Sequence, residues 1–190
     1  MKARNNPFAT WRLEQLQYRL DGPDWNELLG RFDHLGRRAA LVGVHGSGKT
    51  TLLDEFAARF RQQGKHVCSF RLTEDEPEFG KALDGVKSSG LGRNDIVLLD
   101  GAEQLHRWRW QKFLQFTQSA GGVLITMHRA GRLPTLYECR TNPRLLASLM
   151  EELATGYEWP AARNATELFH KHGGNVREAL RELYDVFAER

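Results

Sequence analysis

Gly43-Val44-His45-Gly46-Ser47-Gly48-Lys49-Thr50, with Thr51 after it, is the stretch best equipped for chemistry. Glycines allow consecutive backbone N–H groups to converge on one concavity without side chains in the way, which suits phosphate oxygens. Lys49 adds a mobile ammonium, and the Thr50 hydroxyl is an oxygen ligand for a hard cation such as Mg²⁺. The surroundings match the chemistry. Ala39-Ala40-Leu41-Val42 is a short apolar run of the kind a buried strand requires. From Thr51 on, Leu52, Leu53, Phe56, Ala57 and Phe60 fall on one side of a helix. A loop between strand and helix also faces the positive end of the helix dipole and its unpaired N–H groups, so anions are favoured there. These residues are read as a phosphate-binding site.

Other segments must position this loop. Asp95-Ile96-Val97-Leu98-Leu99-Asp100 reads as a second buried strand, with an acid at the C-terminal edge where α/β sheets bind ligands. Asp100 capping the next helix would explain the residue too. His66 to Leu72, Gly121 to His128 and Thr135 to Arg140 supply three further strands, interleaved with helical stretches. Such alternation predicts a parallel α/β sheet. Leu105 to Thr117 reads as a helix in which Trp108, Trp110, Phe113, Leu114 and Phe116 alternate with His106, Arg107, Arg109 and Lys112. That pattern fits either a broad core face with a solvated rim or a surface for single-stranded nucleic acid.

The first thirty-odd residues suggest two short helices. Thr10 is placed to cap one carrying Leu13, Leu16 and Leu20, and Asp24 with Glu27 has capping-box spacing for the other. Glu74, Asp75, Glu76 and Glu78 form an acidic turn, with a short helix expected over 79–86. After Thr141 three helices follow: one from Asn142-Pro143 with Leu145, Leu146, Leu149, Met150 and Leu153; one over about 160–172; and one with Val176, Ala179, Leu180, Leu183, Tyr184 and Phe187. The division expected is residues 1–35 as an N-terminal helical segment packed on the core, 36–141 as the α/β core and 142–190 as a helical lid.

Composition narrows the class. Of 190 residues, 41% are hydrophobic and 27% charged, with a net charge of +3, so a soluble globule suited to an anionic ligand is expected. No apolar run reaches the roughly 18 residues needed to span a bilayer. No signal-type N-terminus is visible, and Cys68 with Cys139 are too few for a disulfide scaffold. A cytoplasmic location is expected.

The glycine loop resembles the Walker A motif of the P-loop NTPases, and the strand ending at Asp100 resembles Walker B. Together with the C-terminal helices they resemble the AAA-type (AAA+/ASCE) branch over roughly residues 36–188. The resemblance implies a three-layer sandwich with a five-stranded, mainly parallel sheet and a small C-terminal helical lid. It implies ATP and Mg²⁺ as cofactors. Residues 43–51 would hold the phosphates, with Lys49 on the β- and γ-phosphates, while Thr50 and Asp100 hold the metal. Pro7 and Phe8 would lie beside the adenine in such a protein, although helices packed on a sheet edge explain them as well. Glu74, at the end of the second strand, corresponds to a carboxylate that some P-loop enzymes use in catalysis; a solvated acidic turn is the other reading.

Many relatives of this type place a water-activating Glu directly after the Walker B Asp. Here Gly101-Ala102-Glu103 stands instead. Glu103 either polarises the attacking water or complements a helix dipole. Thr126 and His128 share strand parity at the "sensor 1" position, so only one is expected at the site edge, and His128 is nearer the end. Gly173-Gly174-Asn175-Val176-Arg177 resembles "sensor 2", which would put Arg177 on the γ-phosphate; an exposed Arg on a capped helix is the alternative. Arg129 or Arg132 could serve a neighbouring subunit as an arginine finger, implying a homo-oligomer.

The function expected is an Mg-dependent ATP-binding protein, a slow AAA-like ATPase that acts as a conformational switch on a protein partner the sequence does not identify. The alternatives are a small-molecule or nucleotide kinase, with Arg129 and Arg132 as lid arginines, and a nucleotide-responsive binding module without turnover. Nucleic acid enters only through the Leu105–Thr117 stretch.

Overall fold

The computed structural model describes residues 6–73, 90–157 and 164–189. The acidic turn with Glu74 and the helix expected over 79–86 lie outside the described residues, as does the start of the helix expected from about residue 160.

The apolar runs assemble into one five-stranded parallel sheet: β1 (Arg38–Val42), β2 (His66–Arg71), β3 (Asp95–Asp100), β4 (Gly122–Met127) and β5 (Thr135–Glu138), in the order β2-β3-β4-β1-β5. The three central strands are buried on both faces, which is why their sequences are nearly unbroken apolar runs. Edge strand β2 keeps only Phe70 fully inside. One face carries α2 (Trp25–His34) and α3 (Lys49–Gln62), locked by Trp25 on Phe56 with ring centroids 5.0 Å apart and Phe32 on Phe60 at 5.4 Å. On the other, Ala40, Val42, Val97, Leu99, Val123 and Ile125 pack with Trp110 and Phe113 of α4 (Arg107–Phe116). Helix, sheet and helix make three layers, and the chain is an α/β protein with an all-parallel sheet.

The strand order also marks a ligand edge. After β1 the chain departs toward β2, and after β4 it departs over β1 to β5, so two neighbouring strands send their connections in opposite directions. A crevice at their carboxyl ends is where open parallel sheets bind ligands.

The residues divide into two compact units. Of the described residues, those within 18–43 and 49–138 form the sheet unit, and those up to Gln17, with 44–48 and those from Cys139 on, form a helical one. In the helical unit lie α1 (Thr10–Leu13), α5 (Pro143–Leu153), α6 (Ala165–Lys171) and α7 (Val176–Ala188). Asn142, Asn164 and Asn175 each accept a backbone N–H at the start of α5, α6 and α7. The apolar stripes of α5 and α7 close on one core.

Two expectations are corrected at the N-terminus. Thr10 is the first residue of a single turn, with Ala9 in the cap position and no side-chain cap. Phe8 is 1% exposed and packs edge-on against Phe187 at 5.4 Å, within the helical core. Asn6 fixes that arrangement by donating to the Tyr184 carbonyl at 2.7 Å while accepting from the Phe8 amide at 2.9 Å. A ring enclosed in this way offers no face to an adenine, and residues up to Gln17 group with the C-terminal helices. The capping box Asp24–Glu27 forms as the spacing indicates.

Candidate functional site

Within the helical unit, the loop 44–48 meets the start of α7. Gly46 and Gly48 adopt φ of 69° and 82°, the left-handed region that side chains disfavour. A Cβ on Gly46 would lie 1.8 Å from Asn175 Oδ1 and 3.1 Å from the Arg177 amide nitrogen, so only glycine allows this approach. The loop residue Ser47 is 3% exposed, and its hydroxyl has no hydrogen-bond partner among the described residues. A buried hydroxyl of this kind fits a loop built to receive an anion's oxygens. Val44 and His45 are exposed. Arg177 is exposed on the first turn of α7.

In the sheet unit, α3 begins with Lys49 and Thr50. Lys49 is 8% exposed and its Nζ donates to the Gly43 carbonyl at 2.7 Å. Thr50 Oγ1 donates to Asp100 Oδ2 at 2.8 Å, joining the first turn of α3 to the end of β3. Thr126 Oγ1 donates to the other carboxylate oxygen, Oδ1, at 2.6 Å and accepts from the Gly101 amide at 2.8 Å. Arg71, at the end of β2 and in register with Asp100, brings its Nε to 3.2 Å from Asp100 Oδ2. Its Nη2 lies 3.7 Å from Asp54 Oδ2, one turn along α3 from Thr50. Burial raises the Asp54 pKa; the Arg71 guanidinium opposes that and the Asp100 charge adds to it.

The residue after Asp100 explains where the next carboxylate sits. Gly101 has φ 81°, and a Cβ there would be 2.5 Å from the Leu72 carbonyl oxygen. No glutamate can occupy that position without moving the backbone at Leu72, just after β2. The next carboxylate along the chain, Glu103, lies in a single 3-10 turn, Ala102–Gln104, rather than in the helix expected at Ala102. Glu103 Oε1 lies 3.0 Å from His128 Nε2, while its buried Oε2 has no hydrogen-bond partner among the described residues.

No protein-family model matches this chain, and no curated protein matches it.

The geometry thus revises one expectation. Thr126 and His128 both reach the edge, Thr126 on Asp100 and His128 on Glu103, because the backbone leaves β4 after Met127 and parity no longer holds. Arg132 is bound within its own unit: its guanidinium donates to the Ala102 carbonyl at 2.7 Å and to the Leu105 carbonyl, and lies 4.9 Å from the Trp110 ring centroid. Burial lowers its pKa, an effect the Glu103 carboxylate opposes. Arg129 is exposed.

Sequence reasoning passed over Arg71 and Asp54. Register across β2 and β3 and one turn of α3 bring them to Asp100, and neither motif nor periodicity announces that. A metal at this edge would meet one carboxylate and one hydroxyl, with no cluster of three or more His, Cys, Asp or Glu among the described residues. Sparse oxygen ligation suits Mg²⁺, which keeps waters and shares phosphate oxygens. The described residues contain no helix long and apolar enough to cross a membrane, and both cysteines are free thiols.

Proposed function

We propose that the chain binds Mg·ATP through its glycine loop and hydrolyses it slowly, as a conformational switch of the P-loop NTPase, AAA-like type. The observation that carries the reading is the pairing of Thr50 with Asp100 at 2.8 Å, directly after a glycine loop of matching sequence. A helix-start hydroxyl and a strand-end carboxylate share one point, as an oxygen-ligated cation demands. The unpartnered buried hydroxyl of Ser47 and the left-handed glycines support phosphate as the loop's ligand.

In this reading Lys49 exchanges its internal acceptor, the Gly43 carbonyl, for phosphate oxygens. Thr50 and Asp100 would hold Mg²⁺, which neutralises phosphate charge when bound. Glu103 takes the role of proton acceptor for the attacking water. His128 holds one of its oxygens and leaves the other to accept a hydrogen bond. The engagement of Arg132 by two carbonyls and Trp110 weighs against a kinase lid arginine there.

Equilibrium titration with ATP, with and without Mg²⁺, tests the reading together with Lys49→Ala. The wild type should bind in a Mg²⁺-dependent way and release phosphate slowly, and the variant should bind severely less or not at all. Tight ATP binding by a folded Lys49→Ala protein, or no ATP binding by the wild type, would overturn it. Phosphate transferred stoichiometrically to an added monophosphate acceptor would replace hydrolysis with phosphotransfer.

A further inference from the structure

The aromatic residues of α4 do not share one fate. Trp110 and Phe113 are buried, their rings stacked at 5.3 Å, and Leu114 and Phe116 pack partly buried on the same core. Those four complete the helix's inward stripe. Trp108 is left out of it, 56% exposed, on the face of the first turn that the core does not use. Its indole is flanked by cations: Arg109 Cζ is 5.2 Å from the ring centroid and Lys112 Nζ 4.9 Å. Arg107 and Lys112 are exposed, as is His106 just before the helix, and the ten residues Arg107–Phe116 include no Asp or Glu.

The chemistry of the patch limits its partner. A purely apolar surface placed on Trp108 would bury Arg107 and Lys112 against nothing of opposite charge, which is costly. The partner must bring a flat apolar group for the indole and anions for the cations beside it. A single nucleic-acid strand brings both at the spacing of one nucleotide. A duplex keeps its base faces stacked away and could use only the cations. A net charge of +3 is no obstacle, because density along one helix governs a contact of this size rather than the chain's total.

We infer that the outward face of α4, centred on Trp108 with Arg107, Arg109 and Lys112, is a binding surface for single-stranded nucleic acid. A base stacks on the Trp108 indole, and the three cations neutralise flanking phosphates. The inference stands on α4 alone and is independent of the nucleotide reading.

Fluorescence anisotropy with a labelled oligo(dT) of about 15 nucleotides, at low salt and with the full chain, tests it. Stacking on one aromatic is worth about 1–3 kcal/mol per base, so Trp108→Ala should weaken binding roughly five- to a hundredfold. Trp108→Phe should restore most of the loss. Three phosphate contacts predict that log K falls with log salt at a slope near −2, and Arg107→Gln with Lys112→Gln should bring it to about −0.7. The exposed indole can be removed with little change in melting temperature, which verifies that the variants fold. No binding by the wild type at low salt, or equal binding by Trp108→Ala, would overturn the inference. Equal affinity for a duplex of the same length would reduce the surface to nonspecific charge. Competition by poly-glutamate as effective as by the oligonucleotide would assign it to an acidic protein partner instead.

Discussion

Replacing Gly46 with alanine should unsettle α7, far along the chain, more than the loop's own backbone alone requires. Two costs add. Alanine at φ 69° meets the left-handed penalty, about 1–2 kcal/mol. The new methyl would also stand 1.8 Å from Asn175 Oδ1, so that side chain must leave. Asn175 Oδ1 accepts from the Glu178 amide at 3.2 Å, and losing such an N-cap costs about 1 kcal/mol. The sum is about 2–3 kcal/mol, or roughly 5–10 °C in melting temperature for a chain of this length. Denaturation followed by circular dichroism measures it, but the informative experiment is a double-mutant cycle. If the methyl acts through Asn175, then Gly46→Ala combined with Asn175→Ala should cost about 1 kcal/mol less than the two single changes summed. Additive costs within about 0.3 kcal/mol would refute the steric route. An unchanged melting temperature for Gly46→Ala would refute the approach of loop and helix itself.

Three further outcomes test the nucleotide reading residue by residue. Asp100→Asn should weaken the Mg²⁺ dependence of ATP binding, since an amide is a poorer ligand for a hard cation; unchanged dependence in a magnesium titration would leave Asp100 as a structural acceptor for Thr50, Thr126 and Arg71, outside any metal site. Glu103→Gln should keep ATP affinity while lowering phosphate release about a hundredfold or more, and equal turnover would move the base elsewhere, with Glu74 next in line. Arg177→Ala should narrow the difference between ATP and ADP affinities by roughly ten- to a hundredfold, the worth of one charge-assisted contact, as read by calorimetry with both nucleotides. Unchanged affinities for both would make the C-terminal helices a docking module rather than a lid, and an equal loss for both would refute a contact confined to the γ-phosphate.

Much of the architecture was legible because its signals are local. The buried runs at Ala39–Val42, Ile96–Leu99 and Val123–Met127 need only their own residues to declare a strand covered on both faces. Leu52, Leu53, Phe56, Ala57 and Phe60 declare a helix face, and Asp24 with Glu27 declares its neighbour's start. What was illegible depends on pairing. Arg71 looks like any exposed residue at a strand end until β2 is placed in register with β3, which sets it opposite Asp100. Phe8 has no neighbour in sequence to explain its burial, because Phe187 lies at the other end of the chain. Within α4, periodicity counts Trp108 and Trp110 alike as apolar, and only the packed core separates the buried ring from the exposed one.

The departure at Gly101 shows how the two kinds of information combine. Read alone, Asp-Gly-Ala-Glu looks like a degraded version of an adjacent acid pair. The structure gives a steric reason for glycine at the second position. The left-handed turn at Gly101, with the Leu72 carbonyl 2.5 Å from any Cβ, leaves no room for a side chain where the second acid would stand. The turn that follows returns a carboxylate to the same strand edge two residues later, and Arg132 fixes that turn by binding the carbonyls on either side of Glu103 and Gln104. His128 then takes one oxygen of Glu103. The position of this carboxylate is determined by the turn below and the histidine beside it. With one oxygen on His128 and the other without a hydrogen-bond partner among the described residues, Glu103 is the side chain whose replacement by glutamine separates a water-activating base from a passive cap.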